Sequence, residues 1–382
     1  MKVAFRTDAS LQMGSGHVMR CLTLADALTA QGAQCHFISR AHPGHLTEMI
    51  RQRGFKVKSL SSPLNRAKAA PKILANESAS FPPELAHADW LGSTWQADAG
   101  DTAAILAALK PDWLVVDHYA LEARWEEALA PHYQKLLVLD DLADRAHACD
   151  LLLDQNLDRQ PGDYAGLVPA KCQMLVGPIY ALLRPEFAAL RIESLKRRAG
   201  SSQKEIKQLL ITMGGVDLPN ATGHVLAALK ACPLPADCCI TVVMGATAPA
   251  LAKVRELAGQ MPWPTTVLVD VSNMAQHMAS SDLAIGAAGS TSWERCCLGL
   301  PTLMVVLAEN QRPIATALEG AGAAVVINRQ SDGQLAIELK NAIGSFVDNE
   351  KLLASLSTAA LNITNGCGVN LVVAQMLGKQ AP

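Results

Sequence analysis

Apolar bursts of four to six residues recur along the first half of the chain, with longer stretches of helical spacing between them. They are KVAF at 2–5, CHFI at 35–38, WLVVD at 113–117, KLLVLD at 135–140 and DLLLD at 150–154. Bursts so short and so continuously apolar suit strands buried on both faces, and their alternation with amphipathic segments predicts β-α-β units around a parallel sheet. From about residue 190 the pattern gives way to the basic, small-polar run RIESLKRRAGSSQKE. A second series follows: QLLITM, CITVVMG, TTVLVD, DLAIGA, PTLMVV and AAVVIN. The pattern predicts two Rossmann-like α/β domains, residues 1–195 and 206–382, joined by a linker at 196–205. Their parallel sheets are expected to face a central cleft, with ligands at the carboxyl ends of the strands. Residues 61–100, rich in Pro, Ala and Ser, read as a surface excursion of the first domain. The segment NLVVAQMLGKQ, after the turn signal TNGCG at 364–368, reads as a terminal helix that the pattern assigns to neither domain.

A length of 382 residues suits two cores, and 50 % hydrophobic residues can fill them. Formal net charge is -2 with 18 % charged residues, which leaves no global basic field and argues against a nucleic-acid partner. The opening MKVAFRTDAS lacks the apolar core of a signal peptide, and no apolar run approaches the roughly 20 residues that span a bilayer. The expectation is a soluble cytoplasmic protein without an integral membrane segment. Ten cysteines are scattered among apolar neighbours, which favours reduced, buried thiols over a disulfide framework. Neither adjacent pair has the spacing or histidine partners of a zinc site, and no acidic Asp-x-Asp motif is placed to bridge a metal to a diphosphate. Neither metal nor cofactor is expected.

Three glycine-containing turns follow predicted strands. In the first, Gly14 and Gly16 precede the helical stretch VMRCLTLADAL. Such a turn can present backbone N–H groups and a helix N-terminus to a diphosphate, or be only a tight connection. Neither G-x-G-x-x-G with its later acid nor G-x-x-x-x-G-K is present, which disfavours dinucleotide and P-loop sites. The second turn, TMGGVDLPN, carries Gly214 and Gly215 after QLLI. The third lies in DLAIGAAGSTSWERCCLGLPTLMVVLAENQ, where Gly289, Ser290 and Thr291 supply donors and Glu294 follows three residues after Thr291. Glu294 can accept from a ribose diol or serve as a capping-box acid, while Trp293 reads as ordinary packing.

These residues carry a resemblance. The run Gly-Ser-Thr-x-x-Glu with Gly-x-Pro and Asn-Gln beyond it, together with an N-terminal Gly-x-Gly-His, is similar to the two-domain GT-B group that includes the lipid II-forming N-acetylglucosaminyltransferase. FRTDASLQMGSGHVMRCLTLADAL, VVDHYALEARWE, LDDLADRAHACDLLLDQN and AAGSTSWERCCLGLPTLMVVLAENQ resemble more closely the UDP-2,4-diacetamido-2,4,6-trideoxy-β-L-altropyranose hydrolases of pseudaminic acid biosynthesis. The resemblance implies a GT-B fold and a metal-independent hydrolase that cleaves a UDP-sugar at the anomeric C–O bond by base-activated water with inversion.

It also implies roles. His17 matches the family's candidate base, a task suited to imidazole near neutral pH. Read from the residues alone, His17 is equally a helix-start neighbour of a bound phosphate. Asn310 and Gln311 match an Asn-Gln pair that contacts substrate, although surface-loop amides are common. Asn273 and Met274 match a segment whose backbone pairs with uracil. Asp117 and Tyr119, at the end of VVDHYALE, are placed to face the sugar or to act as strand-end caps, with His118 a weaker candidate. Asp140 and Asp141 can orient His17, bind a hydroxyl or cap the next helix. Two competitors remain at this level: a GT-B glycosyltransferase using the same donor, for which Arg51, Arg53, Lys56 and Lys58 offer a modest basic stretch, and a non-catalytic sugar-nucleotide-binding protein.

Overall fold

The computed structural model describes residues 1–61, 85–199, 205–327 and 331–379. The chain forms two units, each built on one parallel sheet. The first sheet contains β1 (Lys2–Thr7), β2 (Gln34–Arg40), β3 (Lys56–Leu60), β4 (Trp113–Asp117), β5 (Lys135–Leu139), β6 (Leu151–Asp154) and β7 (Gln173–Val176), in the order β3-β2-β1-β4-β5-β6-β7. The second contains β8 (Gln208–Thr212), β9 (Cys239–Met244), β10 (Thr265–Val269), β11 (Leu283–Ala287), β12 (Thr302–Val305) and β13 (Val325–Ile327), in the order β10-β9-β8-β11-β12-β13. Every apolar burst coincides with a strand. The two strands that the pattern does not mark, β3 and β7, are edge strands with partly exposed residues, so their hydrophobic signal is diluted.

In each unit the strand order reverses beside its first strand. Connections from β1 and β4, or from β8 and β11, therefore depart to opposite sides and leave a crevice at the carboxyl ends. Register places Thr7 beside Asp117 and Thr212 beside Gly286 at those switch points. Apolar side chains cover the sheets: Leu114, Val116, Trp125 and Leu136 lie in the first core, and Leu209, Val225, Ile285 and Leu339 in the second.

Three expectations change. The chain passes from the first unit to the second at Val176 and Gly177, ahead of the expected linker. Helix Pro185–Ala199 packs on the second unit, where Phe187 shares a core with Met278 and Trp293 and Arg191 donates to the carbonyls of Cys297, Leu361 and Thr364. Its composition resembles a linker, yet Arg191, Ser194 and Arg198 hold carbonyls of the second unit rather than face water. Of the expected linker, residues 200–204 lie outside the described residues. The expected excursion at 61–100 is only partly describable, since residues 62–84 also lie outside them. Its remainder is integral to the first unit: helix Trp95–Leu109 carries buried Asp98, which binds Arg6, Arg40 and the Trp125 indole. The ten cysteines are free thiols, seven of them buried. No described helix is long and apolar enough to cross a membrane.

The expected terminal helix forms at Gly368–Met376 and belongs to the second unit, where it packs against the turn Pro178–Tyr180. A Cβ at Gly368 would come within 2.5 Å of the Ala181 carbonyl oxygen and 2.6 Å of its nitrogen, both unyielding backbone atoms. Gly368→Ala is expected to destabilise the second unit by about 1–3 kcal/mol, the usual cost of overpacking, read as a lowered denaturant midpoint; an unchanged midpoint would contradict this packing.

Candidate functional site

In the first unit the site begins with a tight loop. Ser10 accepts the Met13 N–H on its hydroxyl at 3.0 Å and the Gly14 N–H on its carbonyl at 2.8 Å. Gly14 takes φ +75°, a conformation that glycine adopts without penalty. The Gly14 amide is thus already spent within the loop. Helix Gly16–Ala30 then begins, with Met19 the first residue to bond back, to Ser15. Gly16 and His17 stand in its first turn, ahead of the helical ladder.

His17, Arg20 and Cys21 share one helix face, as residues three and four apart must. All three meet the carboxylate of Asp117 at the end of β4. His17 Nδ1 lies 2.6 Å from Asp117 Oδ1; Arg20 donates through Nε to Oδ2 at 2.6 Å and through Nη2 to Oδ1 at 2.7 Å. The Cys21 thiol approaches Oδ2 at 3.6 Å. Asp117 is 0 % exposed. Burial pushes its carboxyl upward, but Arg20 and His17 outweigh burial and hold it far below the usual carboxylate range. An ionised carboxylate can only accept, so it orients the ring with an N–H on Nδ1 toward it and turns Nε2 away as the other ring nitrogen.

Arg20 is itself anchored by Asp141 at 2.8 Å, and Asp141 accepts from the Tyr119 hydroxyl at 2.7 Å. Tyr119 packs edge-on to His17, with ring centroids 4.6 Å apart. Burial and then Asp141 raise the Tyr119 phenol well above its ordinary range, so it acts as a donor. Trp90 stacks on Tyr119 at 5.7 Å and His87 lies at 5.4 Å, which extends an aromatic wall beside the imidazole.

This geometry revises several assignments. For Asp117 the sequence leaves two roles open, facing the sugar or capping a strand end; both its oxygens are engaged by His17, Arg20 and Cys21 without exposure to solvent, so it supports the imidazole instead. Asp140 does not reach His17; it binds Arg145 at 2.8 Å, the Tyr164 hydroxyl and the Ala143 amide. Asp141 acts on His17 only through Arg20 and Tyr119. His118 turns away: its Nδ1 accepts from the Ala120 amide and its Nε2 lies 3.3 Å from Asp8. Arg20, His87 and Trp90 join the site without having been singled out by sequence. The i+3 spacing of Arg20 to His17 is a signal that could find it, whereas His87 and Trp90 lie in the stretch that reads as an excursion.

The second unit offers backbone where the first offers side chains. After β8, Gly214 takes φ +94° and the Gly215 carbonyl accepts from the Gly245 amide at 2.9 Å. A Cβ on Gly245 would collide with that carbonyl, so Gly245 permits the approach of the two loops. The helix that follows, Ala221–Leu229, is not open to a ligand. Asp217 accepts from the amides of Ala221 and Thr222 at 2.8 and 2.9 Å, and Asn220 caps Gly223. Only the loop of Gly214 and Gly215 itself stays available from this turn.

After β11, Gly289, Ser290 and Thr291 lead into helix Thr291–Cys297, whose N-terminus has no side-chain cap. Glu294 is therefore no capping-box acid. It lies half-buried with Oε1 3.6 Å from Arg184. Burial raises its carboxyl while Arg184 opposes the rise. Trp293 is 1 % exposed and is core. Asn273 precedes helix Met274–Ser280 without a side-chain cap, and Met274 packs partly into the core. Asn310 is exposed in the turn Glu309–Gln311; Gln311 Oε1 accepts from the Leu307 amide at 3.1 Å, which leaves its amide N–H groups for other partners. Among the described residues no cluster of three or more His, Cys, Asp or Glu is arranged to hold a metal ion.

Comparison with known proteins fits this anatomy. Residues 240–365 match the glycosyltransferase family 28 C-terminal domain. The chain is 26 % identical over 323 residues, 84 % of its length and 97 % of the other's, to the UDP-2,4-diacetamido-2,4,6-trideoxy-β-L-altropyranose hydrolase of Campylobacter jejuni. Among solved structures, Acinetobacter baumannii MurG superposes with a TM-score of 0.65 at 15 % identity, covering 99 % of each chain. The S. aureus MnaA–UDP co-structure gives 0.61 at 13 % identity, covering 98 % of this chain and 95 % of that one. With its two doubly wound parallel sheets and these neighbours, the chain has the GT-B fold, and over most of its length it is similar to a hydrolase of a UDP-linked diacetamido-trideoxy sugar.

Proposed function

We propose that the chain is a hydrolase that cleaves a UDP-linked 2,4-diacetamido-2,4,6-trideoxy sugar at the anomeric C–O bond, releasing free sugar and UDP, in pseudaminic acid biosynthesis. The observation that carries this reading is the His17–Asp117 pair, which gives the first unit an oriented base. In this mechanism His17 Nε2 takes a proton from water as the water oxygen bonds to the anomeric carbon. The electron pair of the breaking C–O bond leaves with the diphosphate, so the anomeric centre inverts. Asp117 steadies the imidazolium without taking its proton, and Trp90, stacked on buried Tyr119, offers a face to the apolar side of a deoxy sugar. The turns at Gly214 and Gly215 and at Gly289, Ser290 and Thr291 bind the diphosphate. Glu294 exchanges Arg184 for the ribose diol, Asn273 and Met274 present backbone to uracil, and Asn310 with Gln311 bind the sugar.

Similarity to the hydrolase spans 97 % of that protein, which favours water as the acceptor. The family 28 match supports a second reading, a glycosyltransferase that delivers the same activated sugar to a hydroxyl. Incubating the protein with a panel of UDP-sugars in oxygen-18 water separates the two. Hydrolysis puts the label on the anomeric oxygen of an inverted free sugar. Label in the released UDP would mean attack at phosphorus, and release of UDP only when an acceptor alcohol is added would favour transfer.

His17→Asn is expected to lower kcat by roughly 100-fold or more, the scale of general-base catalysis, with UDP affinity little changed. Near wild-type turnover in that variant, measured as UDP release, would leave His17 a structural residue. Asp117→Asn keeps the shape but not the charge that fixes the imidazole proton, so kcat should fall by about 10²- to 10⁴-fold. Thermal denaturation of the same variant should show a lowered Tm, because Arg20 loses its buried counter-charge; full activity would remove Asp117 from the mechanism.

A further inference from the structure

Buried cations in the second unit differ from those in the first. In the first unit Arg6, Arg20 and Arg145 each meet at least one aspartate within 2.8 Å. In the second, Arg198 and Arg295 are 5 % and 1 % exposed, and neither has a carboxylate within ion-pair distance among the described residues. Arg198 has an internal substitute. It donates to the carbonyls of Leu298 and Met278, at the C-terminal ends of two short helices, where the partial charge is negative.

Arg295 has no such substitute. Its side chain runs back toward the N-terminus of its own helix, as long helical side chains do. Nη2 donates to the Ala287 carbonyl at 2.8 Å and to Ser292 Oγ at 3.1 Å, Nη1 reaches Thr291 Oγ1 at 3.4 Å, and buried Nε has no hydrogen-bond partner. The guanidinium therefore rests at the positive end of the helix, where the dipole adds to its cost. It fills the space that a side chain on Gly286 would need, beside the Thr212 carbonyl, so it lies under the carboxyl ends of both β8 and β11. Burial draws the guanidinium down to about 10, with Cys296 and Glu294 opposing only in part. An unpaired buried charge is costly and a hydrophobic replacement is often neutral or stabilising, so a fold gains nothing by keeping one for packing alone.

We propose that Arg295 is the resident cation of a diphosphate site at the turns following β8 and β11, its charge completed by the bound anion and its hydrogen bond setting the Thr291 hydroxyl toward that anion. This rests on the nucleotide-binding role given above to the second unit. Because Arg295 is wholly buried it is a positioning residue, and its effect is electrostatic.

The test compares wild-type protein with Arg295→Met by calorimetry, using UDP, uridine and inorganic pyrophosphate, and by ligand-free thermal melting. In the variant, affinity for UDP and pyrophosphate should fall by on the order of 10- to 100-fold, the scale of a charge pair at short range in partly buried surroundings. Affinity for uridine should hold, and the ligand-free Tm should equal or exceed that of wild type. A merely structural arginine would give the reverse: a lowered Tm with the ratio of UDP to uridine affinity unchanged, which overturns the proposal. Should Arg295→Met fail to fold, Arg295→Gln, neutral but still a donor, must show the same selective loss, and an unchanged ratio there overturns the proposal equally. If wild type binds pyrophosphate through Arg295 but does not bind UDP or uridine, the anion site stands and the nucleotide reading falls.

Discussion

One buried carboxylate organises the first unit. Asp117 ends β4 with no exposure to water, a position where an ionised acid survives only if its charge is met and its lone pairs are filled. Two residues one helical turn apart, His17 and Arg20, meet it from the helix that follows β1. Arg20 has N–H donors beyond those that Asp117 fills, so Asp141 joins it through Nη1, and Asp141 in turn aligns Tyr119 against the imidazole. The orientation of His17 is therefore a property of the folded unit and does not wait for a ligand. That is the condition under which a base contributes most, since no reorganisation is left for the moment of reaction.

The topology explains why such groups gather where they do. In a doubly wound parallel sheet all strands end at the same edge, and the reversal of strand order opens that edge at its centre. In the first unit the strand ends carry acids: Asp8, Asp117, Asp140 and Asp154. In the second they carry glycines and small residues, as at Gly214, Gly245 and Gly289. Side chains dominate one edge and backbone the other. Bases must be held by side-chain packing, whereas phosphates are met by N–H groups and close approach. The same fold, used twice, thus offers two kinds of chemistry.

Much of the architecture is legible because burial on both faces writes itself into a sequence as short apolar runs. Edge strands β3 and β7 lack that imprint, and the unit boundary is hidden because Arg191, Ser194 and Arg198 look like linker residues until their carbonyl partners are seen. Site residues are harder. His17 and Asp117 are 100 positions apart, and nothing local distinguishes an aspartate that faces a sugar from one that holds an imidazole. Asp217 shows the same limit: the glycines before it suggest a phosphate turn, yet its own carboxylate already occupies the helix amides that a phosphate would use. Spacing reports which residues can share a helix face, but not which acid from another strand will meet them.

The two units also divide stability and binding differently. Where a charge is neutralised inside the fold, as at Arg6 with Asp8 and Asp98, ligand binding adds little to the stability of its surroundings. Where a charge is left for a ligand to complete, folding free energy is held back until the ligand arrives and then appears as affinity, because whatever binds only the native state stabilises it. A buried guanidinium against the positive end of a helix is such a reserve. On the proposal that Arg295 completes a diphosphate site, this reserve leaves the second unit less stable alone than its packing would allow and makes the anion part of the unit's own electrostatic balance. A base of the kind proposed for His17 needs the opposite arrangement, since an imidazole whose orientation depended on the ligand would be misplaced at the step where it is required.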